Sequence, residues 1–208
     1  MTQKTAVRTF SALLITLLLY LLIWQTMAAL VTLPTYYYAR LIELLGIFLF
    51  AALAYLTPMR FEEMGIAVPP ALLWRSLALG LGTALLVIGV GVIGLPLFYG
   101  APLPALFVRG DVSRATYFLV APLQEVLAKG VMYYALELCF ERRHPHLCNL
   151  LCAAIFGLFH VVYGAPMMLL AMLLCLVTGW IFQKYRCVWG CAAAHLAIGL
   201  FYDCFTRF

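Results

Sequence analysis

From Thr9 to Leu33 the chain runs for 25 residues without a charged side chain. A helix rising about 1.5 Å per residue needs about 20 apolar residues to cross a hydrocarbon core about 30 Å thick, so this run can span a bilayer. It is too long for a signal-peptide core, and no small-residue cleavage site with a soluble domain follows it, so it reads as a retained span. The whole chain is 66% apolar and only 10% charged, which cannot cover a water-exposed surface. The expected fold class is therefore all-α, a polytopic transmembrane helix bundle forming a single domain over residues 1–208.

Apolar blocks separated by charges, Pro and Gly place spans near 9–32, 36–57, 71–98, 113–141, 147–164, 166–183 and 188–206, about seven in all, with six to eight as the range. The third stretch is long enough to tilt or to break at Gly94 and Pro96, and Gly164-Ala165-Pro166 forms a short turn. Lys4, Arg8, Arg60, the Glu141-Arg142-Arg143-His144 cluster, Lys184 and Arg186 fall on one side of this topology, and Arg40, Arg109, Arg114 and Arg207 on the other. The positive-inside rule then predicts a cytoplasmic N-terminus. The net charge of +5 is scattered over short loops with no basic run or aromatic platform, which argues against a nucleic-acid partner. Seven cysteines form no C-x-x-C pair, so neither a disulfide framework nor a zinc knuckle is expected.

Ionisable residues inside apolar spans are expensive and mark function by default. Glu125 and Lys129 lie one helical turn apart in the fourth span, in the order that favours an i,i+4 ion pair. His160 and His195 sit in the fifth and seventh spans. A single histidine in an apolar helix is more often a hydrogen-bonded core residue, and Lys129 could merely neutralise Glu125, but two such histidines with a buried acid favour a site. Glu43, expected to pair with Arg40, together with Glu137 and Asp203, fits snorkelling and end pairing. His144 and His146 read as solvated loop residues. Tyr36, Tyr37, Tyr38, Trp74 and Trp189 read as interfacial belts, and Ala192-Ala193-Ala194 with Gly199 as a close-packing face.

These residues resemble the CAAX-protease and bacteriocin-processing (Abi) family of glutamic-type intramembrane endopeptidases. Its pattern is Glu-Glu-x-x-x-Arg, then Phe-x-x-x-His, then His-x-x-x-Asn, on three successive elements. This chain offers Gln124-Glu125 with Lys129, Phe156 with His160, and His195 with Gly199, in that order. The likeness covers about residues 116–205, and Gln124, Lys129 and Gly199 depart from the pattern in a way that resembles a bacterial subtype. It implies an integral protein of the bacterial inner membrane, and an exported, membrane-embedded or C-terminally anchored protein as substrate.

Amide hydrolysis needs a positioned water, a base, oxyanion donors and an acid for the departing amine. In the family's usual scheme the first glutamate activates water, and Gln124 has no carboxylate, so either Glu125 takes that role or the protein is catalytically silent. On the protease reading Glu125 is base and later acid, His160 helps to hold the water and His195 is an oxyanion donor. Phe156, Lys129, Gly199 and Gln124 support them, with the Gln124 amide replacing the donor missing at Gly199. No cofactor is implied. A metal centre built on one carboxylate and two imidazoles competes, but the spacing lacks His-Glu-x-x-His. A silent relative that binds membrane peptides and, more distantly, a proton-coupled transporter complete the alternatives.

Overall fold

Hydrocarbon offers a backbone amide no partner, so a chain this apolar satisfies its peptide groups within helices. The computed structural model describes residues 3–30, 32, 34–57, 60–99 and 112–205. These form seven helical rods and, among the described residues, no strand. The rods are α1 (Gln3–Leu30), α2 (Thr35–Leu56), α3 (Pro70–Tyr99), a composite of α4 (Val112–Glu125), a π-helical segment (Val126–Tyr133) and α5 (Tyr134–Cys139), then α6 (Pro145–Phe159), α7 (Ala165–Tyr185) and α8 (Val188–Phe205). By length and composition α1, α7 and the Pro70–Gly94 part of α3 can each cross a membrane, and α6 and Val188–Phe201 are shorter apolar helices.

The rods match the seven expected spans to within a few residues, except that α1 begins six residues earlier than 9. Its first turns carry Lys4 and Arg8, and a helix can continue past the hydrocarbon edge where such side chains reach water. The third rod does not break at Gly94 or Pro96 but continues to Tyr99. The α6–α7 turn is a 3-10 turn over Val161–Tyr163 closed by Gly164 at φ 92°, a left-handed conformation that glycine adopts without a Cβ penalty. Arg109 and Arg207 lie outside the described residues, as do the side chains of Arg114, Asp203, Tyr36 and Tyr38.

The distribution of side chains is that of a protein solvated by lipid. Leu22, Leu85, Val90, Leu97 and Leu119 are exposed, a surface that would aggregate in water. The inward face of α1 carries Thr9, Leu13, Thr16 and Tyr20, a stripe at alternating steps of four and three. Where α3 crosses α8, any Cβ at Gly80 would overlap the Gly190 backbone, so the small residues set that approach. The π-helical segment is the hub: it touches α2, α4, α5, α6, α7 and α8, and its residues from Ala128 to Tyr133 are buried.

At one end of the bundle the α2–α3, α5–α6 and α7–α8 loops are tied together. Glu63 accepts from the Tyr134 hydroxyl at 3.0 Å and from Arg142 Nη2 at 2.9 Å. Arg186 Nη1 donates to Glu137 Oε1 at 2.7 Å and its Nη2 to the Glu63 carbonyl at 2.9 Å. Glu137 is thus buried in an ion pair with Arg186 at the end of the bundle, the end pairing that its position suggests. The Tyr134 hydroxyl, and then Arg142, hold the Glu63 carboxyl below its ordinary pKa. A depressed folded-state pKa adds stability that is present above the unfolded value of about 4.3 and is lost as pH falls through the folded value. Glu63→Gln should therefore lower the melting temperature of detergent-purified protein at pH 7, with the gap from wild type closing below about pH 4; a gap independent of pH would contradict the arrangement.

Candidate active site

Pro122 has no amide hydrogen, so the Phe118 carbonyl loses its helical donor one turn before Glu125. From Val126 the backbone widens to π-helical turns, a departure that occurs often at functional sites. The expected Glu125–Lys129 ion pair is not made by direct contact, because the Lys129 ammonium group is engaged elsewhere. Lys129 instead reaches α7, where Nζ donates to the Cys175 carbonyl at 2.6 Å and meets Cys175 Sγ at 2.9 Å.

Glu125 is fully buried and pairs across the bundle with α8: His195 Nδ1 stands 3.0 Å from Glu125 Oε1. The Thr178 hydroxyl on α7 lies 3.4 Å from the same oxygen and 3.2 Å from the Cys175 carbonyl; with one proton it donates fully to only one of them. Glu125 Oε2 has no protein hydrogen-bond partner. Residues 70 apart in sequence thus meet in a buried carboxylate–imidazole contact.

His160 ends α6, and its Nδ1 lies 2.8 Å from the Phe156 carbonyl. A carbonyl only accepts, so Nδ1 carries the proton and the neutral ring presents Nε2 as an acceptor. The Phe156 ring links the two histidines, with its centroid 4.6 Å from that of His160 and 5.9 Å from that of His195. The structure therefore joins Glu125 to His195 directly, and His160 to that pair through Phe156.

Gln124 and Gly199 meet partners that the sequence does not name. Gln124 Nε2 donates to Glu43 Oε1 on α2 at 3.2 Å, so one of its two amide protons is already used. Glu43 does pair with Arg40, at 3.7 Å, but it is buried and faces α4. At Gly199 a Cβ would overlap the Tyr117 hydroxyl, and the Tyr117 ring meets the edge of His195 with centroids 6.1 Å apart. Thr178, Tyr117 and the orientation of Glu43 were missed by sequence reasoning. Thr178 had a weak signal as a polar residue in the apolar run LLCLVTGW, whereas Tyr117 had none, because tyrosine in a span reads as belt or core. Among the described residues no group of three His, Cys, Asp or Glu side chains is arranged to hold a metal ion.

The fold and this site define a helical membrane protein with a buried acid–imidazole centre. Residues 112–201 match the family model described as type II CAAX prenyl endopeptidase, Rce1-like. That stretch, from α4 to α8, is similar to this endopeptidase family, in agreement with the resemblance of the motifs. No curated protein matches the chain, and no solved structure does.

The tight seat of Tyr117 over Gly199 makes a measurable claim about α4–α8 packing. Gly199→Ala should cost about 1–3 kcal/mol, the usual penalty of overpacking. In a Tyr117→Ala background the cost should largely vanish, giving a coupling energy in a double-mutant cycle of thermal unfolding. An equal cost in both backgrounds would contradict the contact.

Proposed function

We propose that this protein is a glutamic-type intramembrane endopeptidase that hydrolyses a peptide bond of an exported, membrane-embedded or C-terminally anchored protein. The observation that carries the reading is the buried 3.0 Å contact between Glu125 and His195, within a segment that matches an endopeptidase family. A structural role alone is a poor explanation for it, since a buried ion pair seldom outperforms an apolar pair of similar size.

The geometry supports a role for each residue. His195 holds Glu125 Oε1, which leaves Oε2 as the basic oxygen facing no protein donor. In the ion-paired form both ring nitrogens of His195 carry protons, so Nε2–H is free to donate to an oxyanion. His160 offers its Nε2 lone pair to a water proton and orients the nucleophile. Water attacks the carbonyl carbon as Glu125 takes its proton; the C–N bond then breaks and the amine leaves with a proton returned by the carboxyl group. Tyr117, seated over Gly199 beside His195, supplies the hydroxyl donor at the place where the family pattern has an asparagine side chain. Gln124 keeps one amide proton for the same task. Lys129 puts a fixed positive charge beneath the acid, and Phe156 spaces the two imidazoles.

The whole chain acts as one domain with its catalytic half at about 116–205. It resides in a bacterial inner membrane with a cytoplasmic N-terminus, a topology supported by the gathering of Arg142 and Arg186 with the Glu63 loop at one end of the bundle. Purified protein in detergent, incubated with membrane-anchored peptides and followed by mass spectrometry, should cleave at one bond and remain active with strong chelators. Glu125→Gln, His160→Ala and His195→Ala should each lower kcat by about 100-fold or more, the usual contribution of an acid–base or oxyanion group, without loss of expression. Full cleavage by Glu125→Gln would refute the assignment, and peptide binding without cleavage by the wild type would mark a silent family member.

A further inference from the structure

A second carboxylate, carried by α2, faces the same stretch of α4. Glu43 is 6% exposed, its Oε1 accepts the Gln124 amide proton at 3.2 Å, and its Oε2 has no protein hydrogen-bond partner. Arg40 approaches Oε1 at 3.7 Å and keeps 34% of its side chain exposed, a contact too long and too solvated to neutralise a buried acid fully. A carboxyl group inside an apolar helix is costly to insert. A leucine or glutamine would fill the space without that cost, so packing does not account for this residue.

Its position is set by close approach of the helices. Glu43 and Gly46 lie three residues apart on one face of α2. A Cβ at Gly46 would sit 2.5 Å from Leu127 Cδ1, so the bare glycine lets α2 close on the π-helical segment just past Gln124. A small cavity there is lined by Gly46, Gln124, Leu127 and Phe156, among others. Phe156 is also the ring that contacts His160 and His195. Glu43 is thus held by one hydrogen bond to Gln124, the residue that precedes Glu125.

We propose that Glu43 is a second acid–base carboxyl of this site, held by Gln124, and that it supplies the proton for the departing amine. The inference rests on the endopeptidase reading and replaces the return of the proton by Glu125 with a donation from Glu43. Glu125 takes one proton from water as the oxygen attacks the carbonyl carbon. The protonated Glu43 then gives its proton to the amide nitrogen as the C–N bond breaks. Glu125 afterwards releases its proton to solvent and Glu43 takes one up, so the cycle consumes only water and the peptide.

Two variants of the full-length protein test this on a membrane-anchored peptide that the wild type cleaves. Glu43→Gln still accepts the Gln124 amide but carries no transferable proton, so kcat should fall about 100-fold or more with KM little changed. The exchange variant Glu43→Gln/Gln124→Glu moves the carboxyl group across the same hydrogen bond, and should regain at least about tenfold of the lost rate if acid–base catalysis is what was removed. Because both keep the hydrogen bond, both should melt near the wild-type temperature. Wild-type kcat in Glu43→Gln, or an exchange variant no faster than the single one, would overturn the proposal. If the wild type cleaves, Glu125→Gln does not and Glu43→Gln does, only the role of Glu43 falls. A wild type that cleaves none of the peptides refutes the endopeptidase reading, and this proposal with it.

Discussion

The contact between Glu125 Oε1 and His195 Nδ1, 3.0 Å apart with both side chains almost wholly buried, is the constraint around which the rest of the bundle is arranged. Low dielectric strengthens such a contact and makes any unmet polar atom costly. The surrounding groups answer that cost: Thr178 stands by the same oxygen, and the charge on Lys129 is satisfied by Cys175. The glycine-lined crossings then bring α8 and α2 close enough to α4 for the polar groups to meet.

The bundle differs from a soluble domain in turning leucine and valine outward as well as inward, and a set of polar residues lies within its apolar core. Glu43, Gln124, Glu125, Lys129, Asn149, His160, Thr178 and His195 are all buried. Their contacts bind helices that lipid cannot drive together by hydrophobicity alone. In the proposed function this polar interior is also the place where water meets a peptide bond, so one set of side chains serves both cohesion and chemistry.

Much of the fold was legible because an apolar run of span length has few alternatives: all seven rods appear where the runs place them. The Glu125–His195 pairing was legible only as a set of residue types, since three separate elements carry it. The π-helical turns were not legible, for no residue period announces them. Lys129 reads as the partner of Glu125, whereas its hydrogen-bond partner, Cys175, is on α7. Glu43 read as an end-of-span acid because its nearest charge in sequence is Arg40, whereas its hydrogen-bond partner Gln124 is 81 residues away. Gly199 read as a packing glycine, which it is, but the occupant of its space, Tyr117, had no signature in spacing.

The central claim is that a carboxylate and an imidazole share one proton inside the bundle. Nitrogen-15 NMR of histidine-labelled protein in lipid bilayers reads that proton directly on the ring. One histidine, assigned to position 195 by its loss in His195→Ala, should show a strongly hydrogen-bonded Nδ1–H that shifts markedly in Glu125→Gln. A His195 ring whose signals are those of a free imidazole, and are the same in both proteins, would contradict it.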